Sequence, residues 1–129
     1  MVRNYKSSEE WFKQADYDLK SAEVMFKGER YVYVIFLCHL GLEKFLKGLY
    51  VRRFKKNAPK VHNLFYFTKE LEIELPEDLS EFVDELNALS VPTRYPEELD
   101  NLVKKYKKAK ASRIIKKTQE LLLWLKKVE

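Results

Sequence analysis

Apolar residues recur at three- and four-residue intervals along nearly the whole chain, the period of helices that bury one face. The first run is Trp11, Phe12, Ala15, Leu19, Ala22, Met25 and Phe26. Ser7 and Glu10 precede it at capping-box spacing and Gly28 follows, which predicts a helix over 8–27. The second run, 31–54, opens almost uniformly apolar. A helix that is apolar on every side has to be enclosed by others, so this one belongs at the centre of the fold or at a subunit interface. A basic loop, 52–60, containing Pro59, comes next.

The third helix is expected over 63–75, using Leu64, Phe67 (or Phe65), Leu71 and Leu75. Pro76 ends it and suits the first turn of a fourth helix over 77–89, with Leu79, Phe82, Val83, Leu86 and Leu89 on one face. Pro92 and Pro96 make 90–98 read as a stiffened loop. The last helix begins between 97 and 107 and continues through Ile114, Thr118, Leu121, Leu122, Leu125 and Val128. The expected fold is all-α: one domain over 1–129, an up-and-down four-helix bundle with a fifth short helix.

Composition narrows this further. A chain of 129 residues is one domain's worth, and Gly 3 with Pro 4 is too few turn formers for a β-sandwich or barrel. Cys38 is alone, which excludes an intrachain disulfide and any multi-thiolate metal site. Its place in the most apolar run marks it as an inert packing group. The longest charge-free stretch, 31–42, has twelve residues, short of the roughly 20 that a membrane span needs. The polar segment 1–8 lacks the apolar core of a signal peptide, so a cytoplasmic protein with no membrane contact is expected.

The net charge of +5 conceals a sorted pattern. Residues 1–43 sum to −1, 44–69 to +8 with no acid, 70–100 to −10 with Arg94 as the sole base, and 101–129 to +8. Three readings stand open: an anionic ligand, an acidic partner, or attraction between segments of one fold. The run 104–117 carries eight bases and no acid, which suits nucleic-acid phosphates. Only Tyr106 is available for base stacking there, so nucleic acid is the weaker expectation.

The chain has no glycine-rich phosphate loop and no zinc spacing. His39, Glu43 and Lys47 stand at i, i+4 and i+8 on the apolar second helix, one stripe with Glu before Lys as an ion pair prefers. The stripe is either a self-satisfied polar seam or the lining of a cleft that binds phosphate. Arg94, beside Tyr95 in the proline-pinned segment, suits a phosphate or a base, or it neutralises Glu97, Glu98 or Asp100.

Four motifs in order resemble the HEPN domain family. They are the W-x3-A-x2-D-L-x2-A pattern in 11–22, FLCHLGLEKFLKGLY at 36–50, VHNL at 61–64 and RYP at 94–96. The resemblance implies a small bundle of up-and-down helices, often a homodimer. It also implies association with a separately encoded minimal nucleotidyltransferase, as a two-component or toxin–antitoxin pair, and binding of a nucleotide such as ATP or GTP. Carried onto this chain, the site would comprise His39, Glu43, Lys44, Lys47, His62, Arg94 and Tyr95. Lys44 and Lys47 would supply positive charge, Arg94 a bidentate contact, His39 or His62 a hydrogen-bond donor, and Glu43 orientation. Many members are metal-independent RNases with an R-x4–6-H motif. Here eight residues separate Arg30 from His39 and Arg53 from His62, and no histidine follows His62. The expectation is therefore a non-catalytic module; the alternatives are an RNase toxin with a diverged site and a basic nucleic-acid-binding helical protein.

Overall fold

Residues 4–128 are described by the computed structural model. They form six helices: α1 (Ser8–Lys27), α2 (Tyr31–Phe54), α3 (Leu64–Glu70), α4 (Glu77–Arg94), α5 (Leu99–Lys105) and α6 (Lys108–Val128). The four long helices make the bundle, and no strand occurs among the described residues. The all-α expectation is met, with one short helix more than anticipated.

The uniformly apolar run becomes the axis. Fifteen of the 24 residues of α2 are buried, on every side of the helix, because α1, α3, α4 and α6 all pack against it. The closest of these neighbours, α1, presents the small residues Ala15 and Ala22 to α2. Gly41 and Gly48 answer from α2: a Cβ on Gly41 would come within 2.6 Å of Leu19 Cδ2, and one on Gly48 within 2.5 Å of the Phe12 ring. The two helices therefore approach closer than any side chain at those positions would allow.

Helix ends follow local chemistry. The Ser7 Oγ accepts the Glu10 N–H at 3.1 Å, and the Asn63 Oδ1 accepts the Phe65 N–H at 3.0 Å, so both helices start on a side-chain cap. At three junctions the chain takes a left-handed step on a charged residue: Glu29 (φ 62°), Lys55 (φ 53°) and Glu72 (φ 56°).

Three expected boundaries are corrected. Helix α3 stops at Glu70 instead of 75. Glu72 turns the chain, the Ile73 N–H returns to the Thr68 carbonyl at 2.8 Å, and Arg53 at the end of α2 donates to the Leu71 carbonyl (2.6 Å) and to Glu72 (2.9 Å). Helix α4 runs on to Arg94, through Pro92, so only 95–98 remain as loop. The proline deprives the Ala88 carbonyl of its helical donor, but Ala88 faces solvent, where water can serve. The Ser90 and Thr93 hydroxyls hold the same turn by donating to the Asn87 and Leu89 carbonyls. The last helix is interrupted at Tyr106, whose buried ring anchors the break between α5 and α6.

Helices α4 and α6 run antiparallel, and here the charge blocks meet. Arg113 forms a forked pair with Glu85, and Lys117 lies 3.5 Å from Asp78. The Arg113 guanidinium holds the Glu85 carboxyl below its usual range. Attraction between segments is thus realised at these pairs, which leaves most of both blocks exposed.

The α1–α2 contact yields a stability test. Gly41→Val is expected to destabilise the fold by about 1–3 kcal/mol through overpacking against Leu19. A lower denaturant midpoint with an unchanged m value checks this, and an unchanged midpoint would show that the helices can separate freely.

Candidate functional site

The polar stripe of α2 lies inside the protein. His39, Glu43 and Lys47 are all buried. An ionised group in such a place must be compensated, and each of them is met by a neighbour. Lys47 Nζ stands 3.0 Å from Glu43 Oε2, the pair that the i, i+4 spacing anticipates. The same ammonium lies 5.6 Å from the Trp11 ring centroid and 5.9 Å from that of Phe67. Trp11 on α1 and Phe67 on α3 therefore close over Lys47, and its charge is consumed within the fold.

Glu43 reaches a second partner. His62, in the loop before α3, places Nδ1 2.9 Å from Glu43 Oε1. A carboxylate accepts, so Nδ1 carries a proton and donates, and Nε2 is the ring nitrogen that Glu43 does not engage. The His62 side chain is 59% exposed, so this nitrogen is open to a ligand.

His39 is fixed through an amide hub. Asn87 on α4 donates from Nδ2 to Asn63 Oδ1 at 2.9 Å, while its Oδ1 accepts the Leu64 N–H at 3.1 Å. These two bonds orient the amide, so His39 Nε2, 3.2 Å from the same Oδ1, must be the donor. The other nitrogen, Nδ1, is then a bare acceptor 4.0 Å from Glu43 Oε1, buried and without a hydrogen-bond partner. Burial pushes the His39 imidazole below its ordinary value; the Asn87 bond and Glu43 pull the other way, and Arg94 and His62 add to the lowering. His39 is neutral at physiological pH.

Arg94 ends α4 with its guanidinium carbon 5.1 Å above the Phe36 ring of α2, one turn before His39. Its Nη2 is buried and unpartnered, and no ion pair engages it among the described residues. The carboxylates of Glu97, Glu98 and Asp100, which the sequence offers, do not neutralise it.

The structure thus brings together His39, Glu43, Lys47, His62 and Arg94. It separates two further candidates. Lys44, beside the stripe, turns away from Glu43 to α1, where it pairs with Asp18 at 2.9 Å. Tyr95 is 75% exposed and lines a hollow beside α5. Two residues that sequence reasoning passed over, Asn63 and Asn87, orient the cluster. Asn87 falls between Val83 and Ser90 on the buried stripe of α4, and an amide at such a position signals a partner across the core. Cys38 fits the packing role expected of it: burial pushes the thiol up to about 12.

The arrangement is a helical bundle with one cationic, partly open polar cluster at the meeting of α2, the α2–α3 loop and α4. It carries the Arg94 guanidinium with no ion pair among the described residues, and it presents a carboxylate-oriented imidazole at the surface. The chain matches the HEPN domain family over residues 8–128 and belongs to that family. Among solved structures, TT1696 from Thermus thermophilus is similar at 24% identity, with a TM-score of 0.78 over 93% of this chain and 96% of that one. ST0689, described as an archaeal HEPN homologue, is 27% identical, with a TM-score of 0.73 over 94% of this chain and 96% of its own. No curated protein matches the chain by sequence.

The buried His39 gives the fold a pH dependence whose sign can be stated. In the unfolded chain the imidazole takes a proton near pH 6.5, whereas the folded state resists it. The unfolded state therefore binds more protons in that window. The contribution is fully present above about pH 6.5 and is lost as pH falls through the lower folded value, by at most about 1.4 kcal/mol per pH unit. Urea denaturation between pH 7 and 5 is expected to show this decline, and His39→Gln, which retains a donor for Asn87, to flatten it. An equal slope in the variant would assign the loss to other groups.

Proposed function

We propose that the protein is a non-catalytic HEPN module that works as a homodimer with a separately encoded minimal nucleotidyltransferase and takes the phosphate of a nucleotide at Arg94. The nucleotidyltransferase partner and the two-component or toxin–antitoxin setting rest on family resemblance. The phosphate site rests on one observation: a guanidinium at the edge of the core whose Nη2 is buried with neither carboxylate nor carbonyl to receive it. An unpaired donor of this kind costs about 1–3 kcal/mol, more when charged, and a phosphate oxygen would remove that cost. Lys44 and Lys47 are already engaged, so recognition of the phosphate falls to Arg94.

Calorimetric titration of the full chain with ATP and with GTP tests this reading. Binding is expected for the native protein, with Arg94→Ala weakening it at least tenfold at an unchanged melting temperature without nucleotide. Absence of heat and of thermal stabilisation with both nucleotides would dismiss the phosphate site.

One observation favours a second reading, an RNase with a diverged site. Glu43 holds the His62 imidazole with Nε2 outward, the arrangement of a general base, and Arg94 supplies positive charge in the same cluster. The non-catalytic reading expects no cleavage of RNA by the purified protein. Cleavage that disappears in His62→Ala would replace it with the enzyme.

A further inference from the structure

Helices α1 and α6 both pack on α2 and lie antiparallel along a shared groove, with Asp16 and Leu122 at one end and Lys27 and Ser112 at the other. Short side chains stand where the three helices meet: Ala22 of α1, Cys38 of α2 and Thr118 of α6, each 1% exposed. They do not fill the space between the helices, and a hollow of about 210 Å³ remains. Leu19, Ile115 and Leu122, all half-buried, form its walls. An apolar cavity of about 150 Å³ holds a benzene ring, so this one has room for a ring and one substituent.

One group in the floor of this hollow is unsatisfied. Thr118 Oγ1 is buried and has no hydrogen-bond partner among the described residues. A helical threonine commonly returns its hydroxyl proton to the carbonyl four residues back, as Thr93 does to Leu89 at 2.9 Å. Thr118 does not do this with Ile114. It stands beside the Cys38 thiol, where it offsets a part of the effect of burial on that group, but a thiol is only a weak partner. Buried hydroxyls are ordinarily satisfied, and one left open at the wall of a cavity is a donor that an oxygen in the cavity would complete.

The rim decides the charge of the occupant. Asp16 pairs with Lys20 at 3.0 Å, and Glu23 Oε1 accepts from Gln119 Nε2 at 3.2 Å, a bond that ties α1 to α6 across the groove. Lys27 and Lys116 lie beyond that tie, in an adjoining hollow of about 410 Å³. The inner hollow thus offers no free cation to an anionic ligand, and its apolar walls would strip a cationic one of water without replacing it. A rigid ring fills such a space at less entropic cost than a flexible chain of equal volume. We propose that the hollow between α1, α2 and α6 binds a small neutral ring compound bearing one hydroxyl or carbonyl oxygen, with that oxygen accepting from Thr118 and the ring held by Leu19, Ile115 and Leu122. The site opens between α1 and α6, whereas the Arg94 cluster lies where α2 meets α4, so the inference stands apart from the phosphate reading.

Titration of the full chain with para-fluorophenol, followed by fluorine NMR, tests this, with fluorobenzene and para-fluorobenzoate as companion probes. The phenol is expected to bind with a dissociation constant of about 1 mM or below and to shift the methyl resonances of Ala22 and Ile115. The benzoate is expected not to bind. Thr118→Val puts a methyl in place of the hydroxyl and breaks no hydrogen bond, so its melting temperature is expected at or above the native one. In that variant the phenol is expected to bind about tenfold more weakly, the effect of one hydrogen bond, while fluorobenzene binds as well as before or better. Absence of phenol binding at ten times that concentration, or binding that leaves Ala22 and Ile115 unmoved, would overturn the site. A Thr118→Val protein that binds the phenol undiminished, or loses both probes alike, would overturn Thr118 as the donor and the oxygen-bearing ligand with it. Benzoate binding tighter than the phenol would overturn the neutral class.

Discussion

A carboxylate buried in the middle of an apolar helix is the constraint around which this molecule is arranged. Glu43 could not remain ionised there without compensation, because taking a charge out of water costs several kcal/mol even after the surroundings relax. Two groups meet it, Lys47 on one oxygen and His62 on the other. Each requirement recruits another element: Lys47 needs the Trp11 and Phe67 rings of α1 and α3 over it, and His62 needs the loop before α3 held at the right height. The polar seam therefore specifies how four segments meet, a role that uniform hydrophobicity could not fill.

Asn87 extends the same logic to α4. One amide oxygen serves the first turn of α3 and the His39 imidazole, and its nitrogen reaches the Asn63 that caps α3. Within this seam two buried groups have no hydrogen-bond partner: the bare His39 nitrogen and the Arg94 guanidinium edge. Structural polar networks in folded proteins are closed. This one is open on one side, and that is the physical ground for reading a ligand into it.

Much of this was legible in the chain. The helical period fixed the bounds of α1 and α2, and the apolar character of 31–54 placed α2 at the centre because an unshielded apolar surface on all sides has no other stable position. The Glu43–Lys47 pair followed from spacing. What the sequence hid has common causes. The early end of α3 depends on Arg53, eighteen residues upstream of the Leu71 carbonyl it binds, a tertiary contact with no local signature. Pro92 sits within α4 because the carbonyl it orphans faces water, a fact of orientation. Lys44 and Lys47, three apart, look alike on paper, yet one helix turn sends the first to Asp18 and the second into the core. His62 and Asn87 joined the cluster only through the fold, being 19 and 44 residues from Glu43 in the chain.

The left-handed steps at Glu29, Lys55 and Glu72 carry a consequence of another kind. Glycine is the residue that takes such a conformation without steric cost, and a side chain there costs roughly 1–2 kcal/mol. This chain spends its three glycines elsewhere, two of them where α1 and α2 touch. Non-glycine junctions also leave the unfolded chain with fewer conformations, which offsets part of the strain. The three turns are thus sites of latent thermal tolerance, where a lineage moving to a hotter habitat could gain stability without altering either the helix packing or the polar seam.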